Sequence, residues 1–193
     1  ESEASHLNKT HKEIYATVSQ DYDSLLYGAP RLIRNLGLAR KRKTISGWVE
    51  TTPEIIELDK MLNVLEINLE QLICLGILVG TDYNPKGVLG IGQKKALDIV
   101  KKYKQPVLIF DSMKEKIMNL PEEDRFEWTE IFELFKKPLV ENSEIIPMKF
   151  DDAKIKEILV EKHDFSDERI EKQLERLREI KEKGKQRGLG NWI

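Results

Sequence analysis

The sequence predicts an α/β fold whose second part is mostly helical, and three observations predict it. Short β-rich runs stand at residues 14–19, 32–36 and 47–50, near the start of the chain. From Thr52 onward apolar residues recur at helical rather than alternating spacing. Glycine and proline then divide that helical text into short segments, at 87–92, 106, 121 and 138.

Taken in order, residues 3–13 alternate small and polar side chains and read as a helix with Ala4 and Leu7 facing inward. The run 14–19 follows as a strand that ends at the acidic turn Asp21-Tyr22-Asp23. Ligands of α/β sheets gather beyond the carboxyl ends of strands, so that placement suits a site. Two further strands, at 32–36 and 47–50, flank a basic loop, Arg40-Lys41-Arg42-Lys43. At Thr52-Pro53-Glu54 the pattern turns helical, with proline in a first turn and apolar residues at 55, 56, 58, 62 and 65. A second helix over 68–79 delivers Asp82 just past its end, and a third opens at Gln93 and runs to about Lys102. Short helices fill 105–137, a connector covers 138–150, and two last helices lie at 151–161 and 166–183. The glycine-containing tail 184–193 is expected to be flexible. There is no internal repeat.

A net charge of −2 gives no global basic field, although an acidic site can cancel a basic track in the sum. The single cysteine, Cys74, lies in the apolar run 72–79 and reads as a core residue of a reducing compartment. That run is too short to span a bilayer, which takes roughly 20 residues. No charged-then-apolar leader opens the chain. The expectation is an intracellular protein without a membrane partner, cytoplasmic in a prokaryote or nuclear in a eukaryote. The chain begins at Glu1, inside an acidic motif and without an initiator methionine, so an N-terminal portion is expected to be removed or separately encoded.

The chemistry is concentrated in three acidic clusters and a glycine turn. Glu1-Ser2-Glu3, Asp21-Tyr22-Asp23 and Asp82 are five carboxylates in two i,i+2 pairs and a singleton. Clustered acids repel one another and suit a pair of hard divalent cations such as Mg²⁺. Two such ions roughly 4 Å apart stabilise the attacking and leaving oxygens of a phosphodiester displacement. Each cluster alone also fits an ordinary turn or helix start; their joint occurrence favours the metal. Gly87, Gly90 and Gly92 permit a tight turn, and Lys94 and Lys95 follow in the first turn of a helix. Cations there oppose the helix dipole unless an anion such as a DNA phosphate sits nearby. The alternative is a glycine-capped hairpin with solvated lysines. The run Arg40–Lys43 fits either a solvated loop or a DNA contact, and Arg31 and Arg34 can balance the acidic turn. His6, His11 and His163 have no zinc-site spacing.

Longer motifs carry a resemblance. Residues 19–31, Ser-Gln-Asp-Tyr-Asp-Ser-Leu-Leu-Tyr-Gly-Ala-Pro-Arg, look like the flap endonuclease family, as do Gly80-Thr81-Asp82-Tyr83 and the Gly90-Ile91-Gly92 that follows. Glu1-Ser2-Glu3-Ala4 is similar to the family's Glu-Gly-Glu-Ala motif, with serine for glycine, and residues 161–169 resemble the start of its penultimate helix. The resemblance covers nearly the whole chain and is nearest the archaeal form. It implies the C-terminal part of a mixed-sheet nuclease domain over 1–82, followed by a helical DNA-binding region over 83–183. It implies that Glu1, Glu3, Asp21, Asp23 and Asp82 bind metal and serve catalysis. Two further metal-binding aspartates belong to an N-terminal half of the family's protein, which this chain does not contain. Residues 83–102 resemble the family's helix–three-turn–helix motif, with Gly87, Val88, Gly90, Gly92, Lys94 and Lys95 against duplex DNA. There a K⁺ ion bridges turn carbonyls, by position those of Gly87, Val88 and Gly90, to a phosphate.

In the tail, Gln186, Leu189, Trp192 and Ile193 have the spacing Gln-x-x-Leu-x-x-aromatic-hydrophobic. That pattern resembles a sliding-clamp-binding box, with Ile193 where a second aromatic is usual. The alternative is a tail folded onto its own core. The reading is a structure-specific nuclease cutting 5′ flaps and recruited by a clamp. The competing reading is a non-catalytic DNA- and clamp-binding portion that needs a separate N-terminal half. A purely structural helical protein is the third.

Overall fold

Three strands, one hairpin and a helical layer follow from how the apolar residues are distributed. A computed structural model describes residues 1–11, 14–36, 41–44, 47–140 and 151–187. The chain divides into two compact units, Glu1–Ser143 and Glu144–Ile193.

The first unit begins with α1 (Ser2–Thr10), then β1 (Thr17–Val18), α2 (Asp23–Leu26) and β2 (Arg31–Arg34). The hairpin β3 (Lys41–Thr44) and β4 (Gly47–Glu50) precedes β5 (Glu54–Glu57). The sheet order is β1-β2-β5, with β1 parallel and β5 antiparallel to β2, so the sheet is mixed. The β3–β4 hairpin forms its own two-stranded sheet.

Several expectations change here. α1 turns Ser5 and Asn8 inward; Ala4 is exposed and Leu7 half-buried. The buried Ser5 is small enough for close packing, and the Asn8 amide reaches the Ile14 carbonyl at 2.8 Å, tying the chain after the helix. The basic run expected as a loop is strand β3 from Lys41 onward, and Arg40 lies outside the described residues. Residues 54–57 are a strand, not a helical turn. The β-branched Ile55 and Ile56 pair with Ile33 and Leu32 of β2, and that pairing overrides the helical spacing.

The helices α3 (Leu58–Leu65), α4 (Leu69–Val79), α5 (Gln93–Tyr103), α6 (Pro106–Asp111), α7 (Lys114–Met118) and α8 (Trp128–Lys136) complete the unit. α4 is apolar nearly all round and is the central post of the core, packing on α2, α5, α6 and α8. Leu72, Ile73, Cys74, Ile77 and Leu78 of α4 are buried with Leu25, Val100, Phe110 and Phe135. Burial pushes the Cys74 thiol up to about 12, as befits an inert core cysteine. Asn68 and Gln71 form a reciprocal capping box at the start of α4, each bond 2.9 Å. The Gln71 amide also donates to the buried Val100 carbonyl at 2.8 Å, pinning α4 to α5. No single helix among the described residues is long and apolar enough to cross a membrane.

In the second unit, α9 (Asp152–Lys156) widens into a π-helical turn at Glu157–Glu161, and α10 (Asp167–Arg187) follows. Lys156 bridges Asp167 and Glu171 at 3.0 and 2.7 Å, and Arg178 pairs with Asp152 and Glu171. α10 runs on past Gly184 to Arg187, beyond the point where the tail was expected to begin.

After α4 the chain doubles back closely. Gly87 sits at φ +56°, and a Cβ there would meet the Val79 carbonyl carbon and oxygen at 2.5 Å. The Val88 N–H donates to the Leu78 carbonyl at 2.8 Å, which holds this approach. Gly87→Ala should therefore destabilise the protein by about 1–3 kcal/mol in chemical denaturation; an unchanged midpoint would contradict the packing. Asn68→Ala should remove the cap at a cost of about 1 kcal/mol, read from the same transition.

Candidate functional site

The acids meet where α2 begins and α4 ends. Asp23 is the first residue of α2, a favourable place for a carboxylate at a helix N-terminus. Asp21 precedes it in the turn after β1, where its N–H donates to the Ser19 hydroxyl at 3.1 Å. The same Ser19 hydroxyl donates to the Glu1 carboxylate in a short bond, so one serine holds the N-terminal acid to the acidic turn.

Asp82 is placed by a buried polar lock. Gly80 caps α4 at φ +123°. The Thr81 hydroxyl donates to Asn84 Oδ1 at 2.7 Å, and the Asn84 amide donates to the Ile77 carbonyl at 2.8 Å. Thr81 and Asn84 are both buried, so their bonds are formed away from water. Between them the Asp82 backbone amide acts on the Asp23 carboxylate and favours its ionised form.

Electrostatics shows which acids share this space. The Asp23 carboxyl is pushed up to about 6, first by partial burial and then by the charges of Asp82, Glu1 and Asp21. The Asp82 backbone amide pulls in the opposite direction and does not win. Three of the other four candidate acids thus act on Asp23. Glu3 stands exposed in the first turn of α1, and no hydrogen bond or ion pair among the described residues joins it to the other four.

Aromatic packing ties the two halves of this arrangement together. The Tyr27 and Tyr83 hydroxyls lie 2.8 Å apart, and both rings pack on Phe135, with centroids at 4.8 and 5.5 Å. Burial first, and the Tyr83 bond next, push the Tyr27 phenol well above its ordinary value. Arg34 reaches the acidic turn, with Nε donating to the Gln20 carbonyl at 2.9 Å and its guanidinium 4.1 Å above the Tyr22 ring. Arg31 turns instead to Tyr15. Ser19, Tyr27, Thr81 and Asn84 were not singled out from sequence; only the Thr81-x-x-Asn84 spacing offered a signal, as a side-chain-closed turn.

A cleft of about 810 Å³ runs from Asp21, Asp23 and Asp82 across apolar walls from α2, α3 and α4 to Gln93 and Lys94. The donor set at its acidic end is all carboxylate oxygen, and it suits a hard divalent cation that would relieve the charge on Asp23. Among the described residues, however, no three acidic, histidine or cysteine side chains converge closely enough to hold an ion as they stand.

The glycine turn is built as a packing element as much as a ligand site. Val88 is a core side chain, whereas Gly90, Gly92, Lys94 and Lys95 are exposed. Gly92 caps α5 without a side-chain bond, and that helix has no acid in its first turn. The Val88 carbonyl accepts from Ile91 N–H at 2.9 Å, and the Gly90 carbonyl accepts from Lys95 Nζ at 3.2 Å. Two of the three carbonyls expected to meet a cation are therefore already engaged by the chain, one of them by an ammonium. In the tail, Gln186 lies on α10, and Leu189, Trp192 and Ile193 lie outside the described residues.

Comparison with known proteins finds similar chains. The sequence model of the XPG I-region matches residues 1–82, the segment that carries all five acids. Flap endonuclease 1 of Hyperthermus butylicus is 44% identical over 187 residues, which are 94% of this chain and 52% of that protein. The solved flap endonuclease-1 from Methanococcus jannaschii superposes with a TM-score of 0.70 at 36% identity, over 91% of this chain and 49% of its own. The catalytic core of Rad2 in complex with DNA substrate shares the fold, with a TM-score of 0.68 at 14% identity over 89% of this chain and 59% of its own. The mixed α/β architecture is that of the flap endonuclease nuclease fold. The chain spans about half the length of the curated relatives it matches. Over that half the chain is similar to the flap endonucleases, and its residues 1–82 match the XPG I-region.

Proposed function

We propose that this chain supplies the acidic metal site and the DNA-gripping turn of a metal-dependent, structure-specific 5′ nuclease. The observation that carries this reading is the gathering of Glu1, Asp21 and Asp82 around Asp23, whose carboxyl is pushed up to about 6 by partial burial first and by those three charges next. Unpaired acids gathered at one end of a cleft oppose folding unless a cation relieves them. The identity of the relatives supports the same reading.

Two Mg²⁺ ions held among Glu1, Glu3, Asp21, Asp23 and Asp82 would activate a water and neutralise the charge on a phosphodiester. The protein's own part is positioning. Ser19 holds Glu1 and the acidic turn, and the buried Thr81–Asn84 bonds hold the turn that carries Asp82. Gly87, Val88, Gly90 and Gly92 shape a turn from which Lys94 and Lys95 meet duplex phosphates, and a K⁺ ion at the turn would replace Lys95 on the Gly90 carbonyl. Such contacts read backbone and shape, so affinity falls steeply with salt. The functional partition is then 1–82 for the acids, 83–183 for DNA, with the helix–three-turn–helix at 83–102, and 184–193 for a sliding clamp through Gln186, Leu189, Trp192 and Ile193. The setting is intracellular DNA replication and repair on branched or 5′-flap DNA.

A second reading is favoured by the absence of three converging ligands among the described residues. The chain then binds DNA and needs a separate N-terminal half to complete the metal site. The experiment is cleavage of a labelled 5′-flap DNA with Mg²⁺ or chelator. The expected result is no cleavage by the chain alone and single-site, Mg²⁺-dependent cleavage once the unmatched half of the Hyperthermus butylicus protein is supplied. Asp82→Ala should lower that activity at least about 100-fold. Cleavage by the chain alone would show that its own acids suffice, and retained activity in Asp82→Ala would refute the site.

The titration of Asp23 gives a test without catalysis. Folding favours its neutral form, so its contribution to stability is present below about 3.8 and is lost as pH rises through about 6. In chelator, the melting temperature should fall across that window, and Asp23→Asn should flatten the fall. Added Mg²⁺ should raise the melting temperature of the wild type above pH 6 but not that of Asp23→Asn. Identical profiles for the two proteins would contradict the account.

A further inference from the structure

Two tyrosines beside the acids make a bond that stability alone does not call for. α2 is a single turn, with Asp23 at its start and Tyr27 just past its end, so the two share one face of the helix. A helix this short has almost no stability of its own and takes its position from what it touches. Tyr83 follows Asp82 directly, and its N–H donates to the Thr81 hydroxyl at 3.3 Å, inside the lock that places Asp82.

The Tyr27 and Tyr83 hydroxyls meet at 2.8 Å although 56 positions separate them in sequence. Behind both rings stands Phe135 of α8, a fully buried core side chain. α8 is in turn held to α4 by packing and by Lys136 Nζ, which donates to the Glu70 carboxylate at 2.7 Å. A tyrosine ring has only two torsions, so a ring seated on a fixed neighbour carries its hydroxyl to one place. Tyr83 is 48% exposed, and water could serve its hydroxyl as well as Tyr27 does. The bond therefore adds little to stability and acts chiefly on geometry. The acids are within its reach: burial first and the Tyr83 bond next keep the Tyr27 phenol neutral, and the charges of Asp23 and Glu1 act on it too.

We infer that the Tyr27–Tyr83 hydroxyl pair is a positioning device that sets how far Asp82 stands from Asp23, and so how tightly the acids hold a divalent cation. The inference rests on the reading that Glu1, Asp21, Asp23 and Asp82 bind metal. Neither tyrosine is a ligand. Each acts through the acid next to it, Tyr27 one helical turn from Asp23 and Tyr83 one residue from Asp82. Small hard cations demand near-ideal geometry from their oxygens, so a slack separation between two carboxylates is felt as lost affinity.

The test is the affinity of the chain for Mn²⁺, read from the electron paramagnetic resonance of the free ion. It compares the wild type with Tyr27→Phe, Tyr83→Phe and the double variant. Ile109→Val, at a buried position on α6, which carries none of the acids, is the control for stability alone. Each tyrosine variant should bind Mn²⁺ about three- to tenfold more weakly, the effect of one hydrogen bond. The double variant should lose no more than either single one, because both remove the same bond. Ile109→Val should lower the melting temperature and leave Mn²⁺ affinity unchanged. Losses that add in the double variant, or a loss in Tyr83→Phe alone, would give the hydroxyls separate roles and overturn the inference. So would an equal loss in Ile109→Val, which would trace the effect to stability. If the wild type binds Mn²⁺ and both single variants bind it equally well, the positioning role falls and the metal site stands. If the wild type binds none, both fall.

Discussion

One electrostatic constraint joins the two halves of the acidic site: the partly buried Asp23 carboxyl feels the charge of Asp82. It links the start of α2, fixed by the sheet, to the turn after α4, fixed by the core. Through it an aspartate brought by β1 and α2 faces another brought by α4, 59 residues later in the chain. The Asp82 backbone amide favours the ionised form of Asp23, yet burial and the charges of Asp82, Glu1 and Asp21 together outweigh it. The arrangement therefore holds its acids in place while leaving them short of positive charge. That combination distinguishes a poised site from an ordinary acidic turn.

The rigidity behind this arrangement is local. Thr81 and Asn84 close the turn with buried bonds to each other and to the Ile77 carbonyl. Gly87 lets the chain return against Val79 without a side chain in the way. Tyr27, Tyr83 and Phe135 then clamp α2, the turn and α8 through ring contacts and one hydroxyl pair. The glycine turn and the acidic cluster are consequently two ends of one stiff segment that starts at α4. Motion of α4 relative to α2 would disturb both at once.

The motifs were legible because their chemistry is local: acids two apart and glycines two or three apart. α4 and α5 followed from the same short-range signals. Residues 54–57 were misread because their strand exists only through pairing with β2, and nothing in the local spacing distinguishes it from a helical turn. The inward face of α1 was misread because Ser5 packs by being small, which hydrophobic patterning does not register. The partners of the acids were invisible for a related reason. Ser19 reaches Glu1 across 18 positions and Tyr27 reaches Tyr83 across 56, and only the folded chain brings them together.

The most direct measurement is titration of the chain with Mn²⁺, followed by electron paramagnetic resonance of the free ion, in wild type, Asp23→Asn and Asp82→Asn. The account predicts saturable binding in the wild type and a large loss in both variants, with each variant still cooperatively folded. Binding that is absent, or equally strong in all three proteins, would contradict the claim that these acids form a metal site.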